Sequence, residues 1–307
     1  MTAIRASNER RTSSLRVATF LATALLGFIV SAAVAQERAI PSSAPHTSTM
    51  AFDASGSAYI AETVSVDSER RDAFVQCLRE SAWMRWTMLR HEGLLADVSV
   101  FETIAVRFSN PGSARWSFLV LSHLARGVQP QDVFAKAGPA PQFSIAAGCT
   151  TATGIVVRRV EVLRPTPKSS YPRASAAEDR VAVDRNVRFI VEYIAVNEDQ
   201  DALAQYRESM AQNMGAAMGL MIPEGTFFEF KALETAFVMY SAAGSPAWNQ
   251  IHIRGFYPDK GPAPAESPIA LRRVNPAGGA GFFASLNKIR TKTREDEARQ
   301  LFELAVR

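Results

Sequence analysis

Across 307 residues the chain is 47% apolar and 21% charged, a globular balance that excludes disordered and collagen-like classes and leaves room for about two domains of roughly 150 residues each. The formal charge is +4, yet four of its arginines, Arg5, Arg10, Arg11 and Arg16, fall within the first 35 residues. Phosphate loops, paired metal ligands, nucleophile elbows and kinase-type motifs are absent from the sequence, so no motif names a reaction.

Residues 1–35 read as a signal peptide: a basic stretch, an apolar run over 17–30, then Ala33-Val34-Ala35 ahead of Gln36, which fits the small-residue cleavage rule. An uncleaved anchor competes, because the apolar stretch carried through Val34 has 18 residues, near the lower limit for a spanning helix. Cleavage predicts a mature start at Gln36, a periplasmic or secreted location, and no stable membrane insertion afterwards. It also removes four Arg and one Glu, which lowers the formal charge from +4 to +1. That leaves no electrostatic case for nucleic acid. Residues 36–56 are polar, with Pro41 and Pro45, and are expected to be disordered.

The two cysteines, Cys77 and Cys149, could form one disulfide closing a long loop, or could remain a pair of buried thiols. Neither has a metal-type spacing, and no metal site is expected.

Sliding the chain by 132 residues gives nine identities over the 25 positions from Glu92 to Trp116. Among them Glu92-Gly93 meets Glu224-Gly225, Glu102-Thr103 meets Glu234-Thr235, and Trp116 meets Trp248. A shift of 130 continues the match upstream, where Ile60, Glu62 and Val66 meet Ile190, Glu192 and Val196, and Met84 and Met88 meet Met214 and Met218. The chain is therefore an internal duplication, with a two-residue insertion expected just after the helix. Each copy opens on a strand-like run, at 59–66 or 189–196. A helical pattern follows, through Phe74, Leu78, Ala82 and Trp86 or through Leu203, Tyr206, Met210, Met214, Ala217 and Met221. Gly93 and Gly225 mark the helix stops. A second strand (98–108 or 226–240) and a Gly-Ser turn lead to a third strand opening at Trp116 or Trp248. In the first copy a short helix at 131–137 and a fourth strand at 154–163 complete a βαββαβ order.

This order in a module of about 110 residues with a long first helix resembles the dimeric α+β barrel superfamily. The resemblance implies an α+β fold of two tandem ferredoxin-like units, their sheets packed face to face, here on one chain. The domains expected are repeat 1 at 57–165, a Pro- and Ser-rich linker at 166–186, repeat 2 at 187–290, and a charged C-terminal helix at 291–307, capped by Thr293. The final strand of repeat 2 is not legible after Phe256. A monomer or homodimer is expected.

Candidate site residues follow from strand alternation. Trp248, Gln250, His252 and Arg254 share a face, which is expected to point into the space between the sheets. Such a row suits a small apolar or aromatic ligand, with His252 a general base and Arg254 a carboxylate clamp; the competing reading is that this face is solvated or that His252 is paired internally. Trp116 and Trp248 read first as core or barrel-mouth packing and second as platforms for an aromatic or planar ligand at a cavity mouth. Glu62 and Glu192 sit mid-strand among aliphatic neighbours, where a carboxylate needs an ion-pair partner or a raised pKa. His123 has no companion at ligand spacing. The expected function is ligand binding by an exported protein. The alternatives are an α+β barrel enzyme, which the resemblance extends to cofactor-independent monooxygenases and haem-binding oxidoreductases, or a structural or partner-binding protein. No cofactor is expected from the residues themselves; a haem held by His252 would follow from the resemblance alone.

Overall fold

The computed structural model describes residues 56–111, 115–137, 148–151, 153–171, 187–225, 227–245, 247–257, 266–277 and 281–304. The expected signal peptide, most of the N-terminal segment and most of the linker lie outside them.

Eight strands close into one antiparallel barrel. In chain order they are β1 (Tyr59–Val66), β2 (Leu95–Ser109), β3 (Phe118–Leu124), β4 (Ile155–Pro165), β5 (Arg188–Val196), β6 (Phe227–Ser241), β7 (Gln250–Phe256) and β8 (Arg290–Leu304). Around the barrel the order is β1-β3-β2-β8-β5-β7-β6-β4. Each copy thus contributes a four-stranded ferredoxin-like sheet, β4-β1-β3-β2 and β8-β5-β7-β6. The sheets join through β2 with β8 and β4 with β6, so neither copy keeps a free edge.

Helices cover the outside. In the first copy α1 (Arg71–Cys77) and α2 (Trp83–His91) are joined by a π-helical turn at Leu78–Ala82, and α3 (Pro130–Ala137) precedes β4. In the second, α4 (Gln200–Ser209) and α5 (Ala216–Met221) are joined by a π-helical turn at Met210–Gly215, and α6 (Glu266–Val274) and α7 (Phe282–Leu286) precede β8. Asp199 caps α4 by accepting from the Asp201 amide, one of the orphan donors at a helix start.

Burial places the two-residue insertion ahead of the helix rather than after it. Phe74, Leu78, Trp86 and Leu89 are buried in copy one, and Tyr206, Met210, Met218 and Met221 in copy two, which aligns the helices at a shift of 132. The Met88–Met218 pair matched at 130 has opposite fates, exposed in copy one and buried in copy two, and Met84 is exposed where Met214 is partly buried.

The C-terminal segment corrects the expected helix: residues 290–304 form β8, and Thr293 donates to the Tyr193 carbonyl instead of capping. Its Arg, Glu, Gln and Leu content favours helix. Pairing between β2 and β5 overrides that propensity, and burial alternates along the strand, with Arg294, Asp296, Ala298 and Gln300 turned inward.

Three apolar cores result. One lies under the helices of copy one (Ile60, Val64, Phe74, Phe118, Val120), one under those of copy two (Ile190, Ile194, Tyr206, Phe230), and the third inside the barrel (Tyr59, Phe101, Leu163, Phe189, Tyr193, Leu233). Residues expected to begin the linker pack against the barrel: Thr166 and Ser169 are buried, and Tyr171 bridges to Phe230 of β6.

Cys77 and Cys149 form a disulfide, with Cα atoms 5.6 Å apart and a sequence separation of 72. Closing a loop of this length removes enough unfolded-chain entropy to stabilise by roughly 4 kcal/mol. Urea unfolding in the presence of reductant is expected to show a loss of that order, and the Cys77→Ser/Cys149→Ser variant to match it without reductant.

Candidate functional site

The structure reverses the expected orientation of the polar row. Ile251 and Ile253 face the barrel interior, while Gln250, His252 and Arg254 lie on the helix-covered face of β7. Trp248 precedes the strand and does turn inward, so the row is split between two compartments. The space between the sheets is filled where Trp116, Tyr193 and Trp248 meet, with ring centroids 4.9 to 5.1 Å apart.

That interior carries a pair of related polar clusters. Arg159 pairs with Glu161 at 2.9 Å, donates to the Trp248 carbonyl and lies 4.4 Å from the Trp248 ring. Arg294 pairs with Asp296 at 2.7 Å, donates to the Trp116 carbonyl and lies 3.8 Å from the Trp116 ring. Thr235 and Thr103 complete them by donating to Glu161 and Asp296. Each arginine–acid pair of one copy thus holds the tryptophan of the other. Trp116 and Trp248 are joints between the copies, stabilised by cation–π contact and hydrogen bonds.

Beneath α4 the second copy holds a different network. The Tyr206 hydroxyl lies 2.8 Å from His252 Nε2, and His252 Nδ1 lies 4.0 Å from Glu192. Glu192 pairs with Arg254 at 3.1 Å and with Lys292 at 2.8 Å. Burial lowers the His252 pKa to about 3, against the opposing pull of Glu192, so the imidazole is neutral at pH 7. Burial works against the Glu192 charge, but Arg254 and Lys292 outweigh it and hold the carboxyl far below its ordinary range. Tyr206 is pushed well above the ordinary phenol value, chiefly by burial. Side-chain exposure falls from 37% at Lys292 and 21% at Arg254 to 4% at His252, which grades the site from an open end to a buried floor. Two donors in it have no acceptor among the described residues: Gln250 Nε2 and Arg254 Nε, both buried.

Copy one shows what the fold itself needs at these positions. Tyr206, Gln250, His252 and Arg254 correspond to Phe74, Phe118, Val120 and Ser122, and Phe74 packs edge-on against Phe118 at 4.9 Å. Glu62 keeps the Glu192 position and is fully buried. Of this network, Gln250, His252, Arg254 and Glu192 are among the candidates the sequence offers, whereas Tyr206 and Lys292 are not. Tyr206 was legible only as an apolar helix position, and Lys292 fell in a segment misread as helix.

His252 does not fit an axial ligand to a haem iron. Its Nε2 is engaged by Tyr206, and its ring is flanked by Phe230 at 5.7 Å. No group of three or more metal-ligating side chains occurs among the described residues. No helix of the described residues is long and apolar enough to cross a membrane.

Strand order and duplication define an α+β barrel of two ferredoxin-like units on one chain. No family model matches the sequence, and no curated protein does. Among solved structures, a dye-decolorizing protein from V. cholerae is 10% identical, covering 82% of this chain and 94% of its own, with a TM-score of 0.44. A chlorite dismutase variant from Candidatus Nitrospira defluvii, in complex with cyanide, is 14% identical over 80% of this chain and 92% of its own, with a TM-score of 0.41. Likenesses of this degree carry nothing toward function.

Proposed function

We propose that this protein is an exported α+β barrel that takes a small anionic ligand into its second copy, beneath α4, and that the Tyr206–His252 pair performs acid–base chemistry on it. One observation carries the reading. Copy one fills the same space with Phe74, Phe118 and Val120, so the fold does not require the polar set. Polar groups that a duplicate does without, and that burial makes costly, are best explained by work done on a ligand.

The character of the site supports the ligand class. Its unsatisfied groups are donors, Gln250 Nε2 and Arg254 Nε, and what they lack is an acceptor. Lys292 and Arg254 at the open end favour a carboxylate or phenolate. Burial holds His252 neutral at pH 7; an anion bound beside it would raise its affinity for a proton, so that the imidazole takes one from the ligand and the Tyr206 hydroxyl it engages relays it. Binding without turnover is the second reading, favoured by the same donors. The disulfide supports export, as does the sequence of residues 1–35.

Thermal melts with benzoate and phenylacetate test the site. Both are expected to raise the wild-type Tm, benzamide to do so less, and Arg254→Met to abolish the shift. Equal shifts in wild type and Arg254→Met would remove the site from consideration.

A further inference from the structure

A second polar group lies inside the barrel, at the end where β1, β2, β5 and β6 begin. His123 closes β3, and its Nδ1 lies 2.8 Å from Asp97 of β2. Its ring stacks on Tyr59 of β1, centroids 4.5 Å apart and planes 14° from parallel. From β6, Lys231 Nζ approaches Glu229 at 2.7 Å. Lys231 and Tyr59 are near enough for each to perturb the other: burial raises the Tyr59 phenol to about 12 against the pull of Lys231. Burial opposes the Lys231 charge, but Glu229 and Tyr59 outweigh it and raise its value.

This group is a product of divergence. Asp97, Ser99 and His123 correspond to Glu229, Lys231 and Gly255, so the histidine dyad exists only in copy one and the lysine pair only in copy two. Gly255 cannot be replaced freely, because a Cβ there would stand 2.4 Å from the Phe228 ring. The second copy fills with Phe228 the place that His123 takes in the first. Barrel mouths are places where small molecules bind, and side-chain exposures of 23% for His123 and 32% for Asp97 leave the dyad reachable.

We propose that this end of the barrel is a general-base site: His123, held by Asp97, takes a proton from a small planar substrate whose developing negative charge ends on an oxygen facing Lys231 and Tyr59. Asp97 accepts the Nδ1–H and so leaves the Nε2 lone pair as the base. The proton passes to Nε2, and the electron pair of the broken bond moves through the substrate onto its oxygen. Two donors, an ammonium and a phenol, stabilise the charge there. No electron acceptor is needed. The site is independent of the one beneath α4.

The probe is 5-nitrobenzisoxazole. Loss of its C3 proton to His123 Nε2 forms the nitrile, breaks the N–O bond and releases a coloured phenolate, followed by absorbance on the full chain. A positioned base is worth about 10² to 10⁴ in rate, so the wild type is expected to exceed an equal concentration of imidazole at least tenfold. His123→Gln is expected to fall to background, Asp97→Asn to lose most of the rate, and His91→Gln, at an exposed surface position, to match the wild type. Carbethoxylation of wild-type His123, located by peptide mass spectrometry, is expected to abolish the rate without unfolding the chain. A wild-type rate no greater than imidazole, or one that survives His123→Gln or carbethoxylation, overturns the proposal.

Discussion

Replacing Arg294 with Met is expected to destabilise the protein by about 3 to 5 kcal/mol, the largest single-residue loss anticipated. Arg294 is among the largest fully buried side chains, and its guanidinium holds Asp296, the Trp116 carbonyl and the face of the Trp116 ring together. Met fills comparable volume, so the loss comes from a carboxyl left without its cation rather than from a void. The effect depends on pH in a definite direction. Burial raises the Asp296 pKa to about 6, despite Arg294, above its ordinary value of 3.8. The folded chain therefore binds the proton more tightly than the unfolded one, and this contribution, full below pH 4, is lost as the pH rises through 6. Without Arg294 the folded value moves higher still, and the deficit of Arg294→Met is expected to widen from pH 5 to pH 8. The Arg294→Met/Asp296→Leu variant removes both charges and is expected to recover most of the stability, as replaced buried pairs do. Urea midpoints at the two pH values read both effects. A pH-independent deficit would show that lost packing, not the stranded carboxyl, is responsible.

The second large effect concerns the site beneath α4. The Tyr206→Phe/His252→Val variant restores copy one's own solution, and at pH 7 it is expected to be as stable as the wild type or more so. Removing both partners of a buried hydrogen bond leaves nothing unsatisfied between them, and working sites commonly cost stability. His252→Val alone takes one partner from the buried Tyr206 hydroxyl, which keeps its contact with Arg290, and is expected to cost about 1 kcal/mol. Acid separates the variants further. The folded pKa of His252, about 3, lies below its ordinary 6.5, so as the pH falls through this window the unfolded chain takes the proton first. The stability from this group is complete above 6.5 and declines toward pH 3. Between pH 7 and pH 5 the wild type is expected to lose about 2 kcal/mol from this histidine alone, and the double variant to lose none of it. A double variant as acid-sensitive as the wild type would mean that His252 is not held neutral.

The duplication was legible because loops and joints keep their identities: Gly93 and Gly225 both adopt the left-handed conformation, with φ near 75°, and Trp116 and Trp248 both pin one copy to the other. Helix-facing residues were less legible. Once the core exists, Phe74 and Tyr206 are equally acceptable to an amphipathic pattern, so the Tyr206 hydroxyl reads as packing. The facing of β7 was misjudged because both of its sides are buried. Where an antiparallel sheet is wrapped by helices outside and by its own closure inside, aliphatic residues no longer mark which side is core. For β8 the cause is tertiary. Its inward charges, Arg294 and Asp296, are acceptable only because the opposite copy supplies Thr103 and the Trp116 carbonyl, information a local window of sequence does not hold.

Because β8 is the last of the described strands in chain order and inserts between β2 and β5, it is the strand that closes the barrel. While β8 is unpaired, β2 and β5 present bare edges, a state prone to strand-to-strand aggregation. Pairings such as Val98 with Leu304 span most of the described sequence, and closures over such separations are slow to form. The fifteen residues of β8 therefore act as a clasp, and chains that lack them are the ones for which a chaperone would matter most.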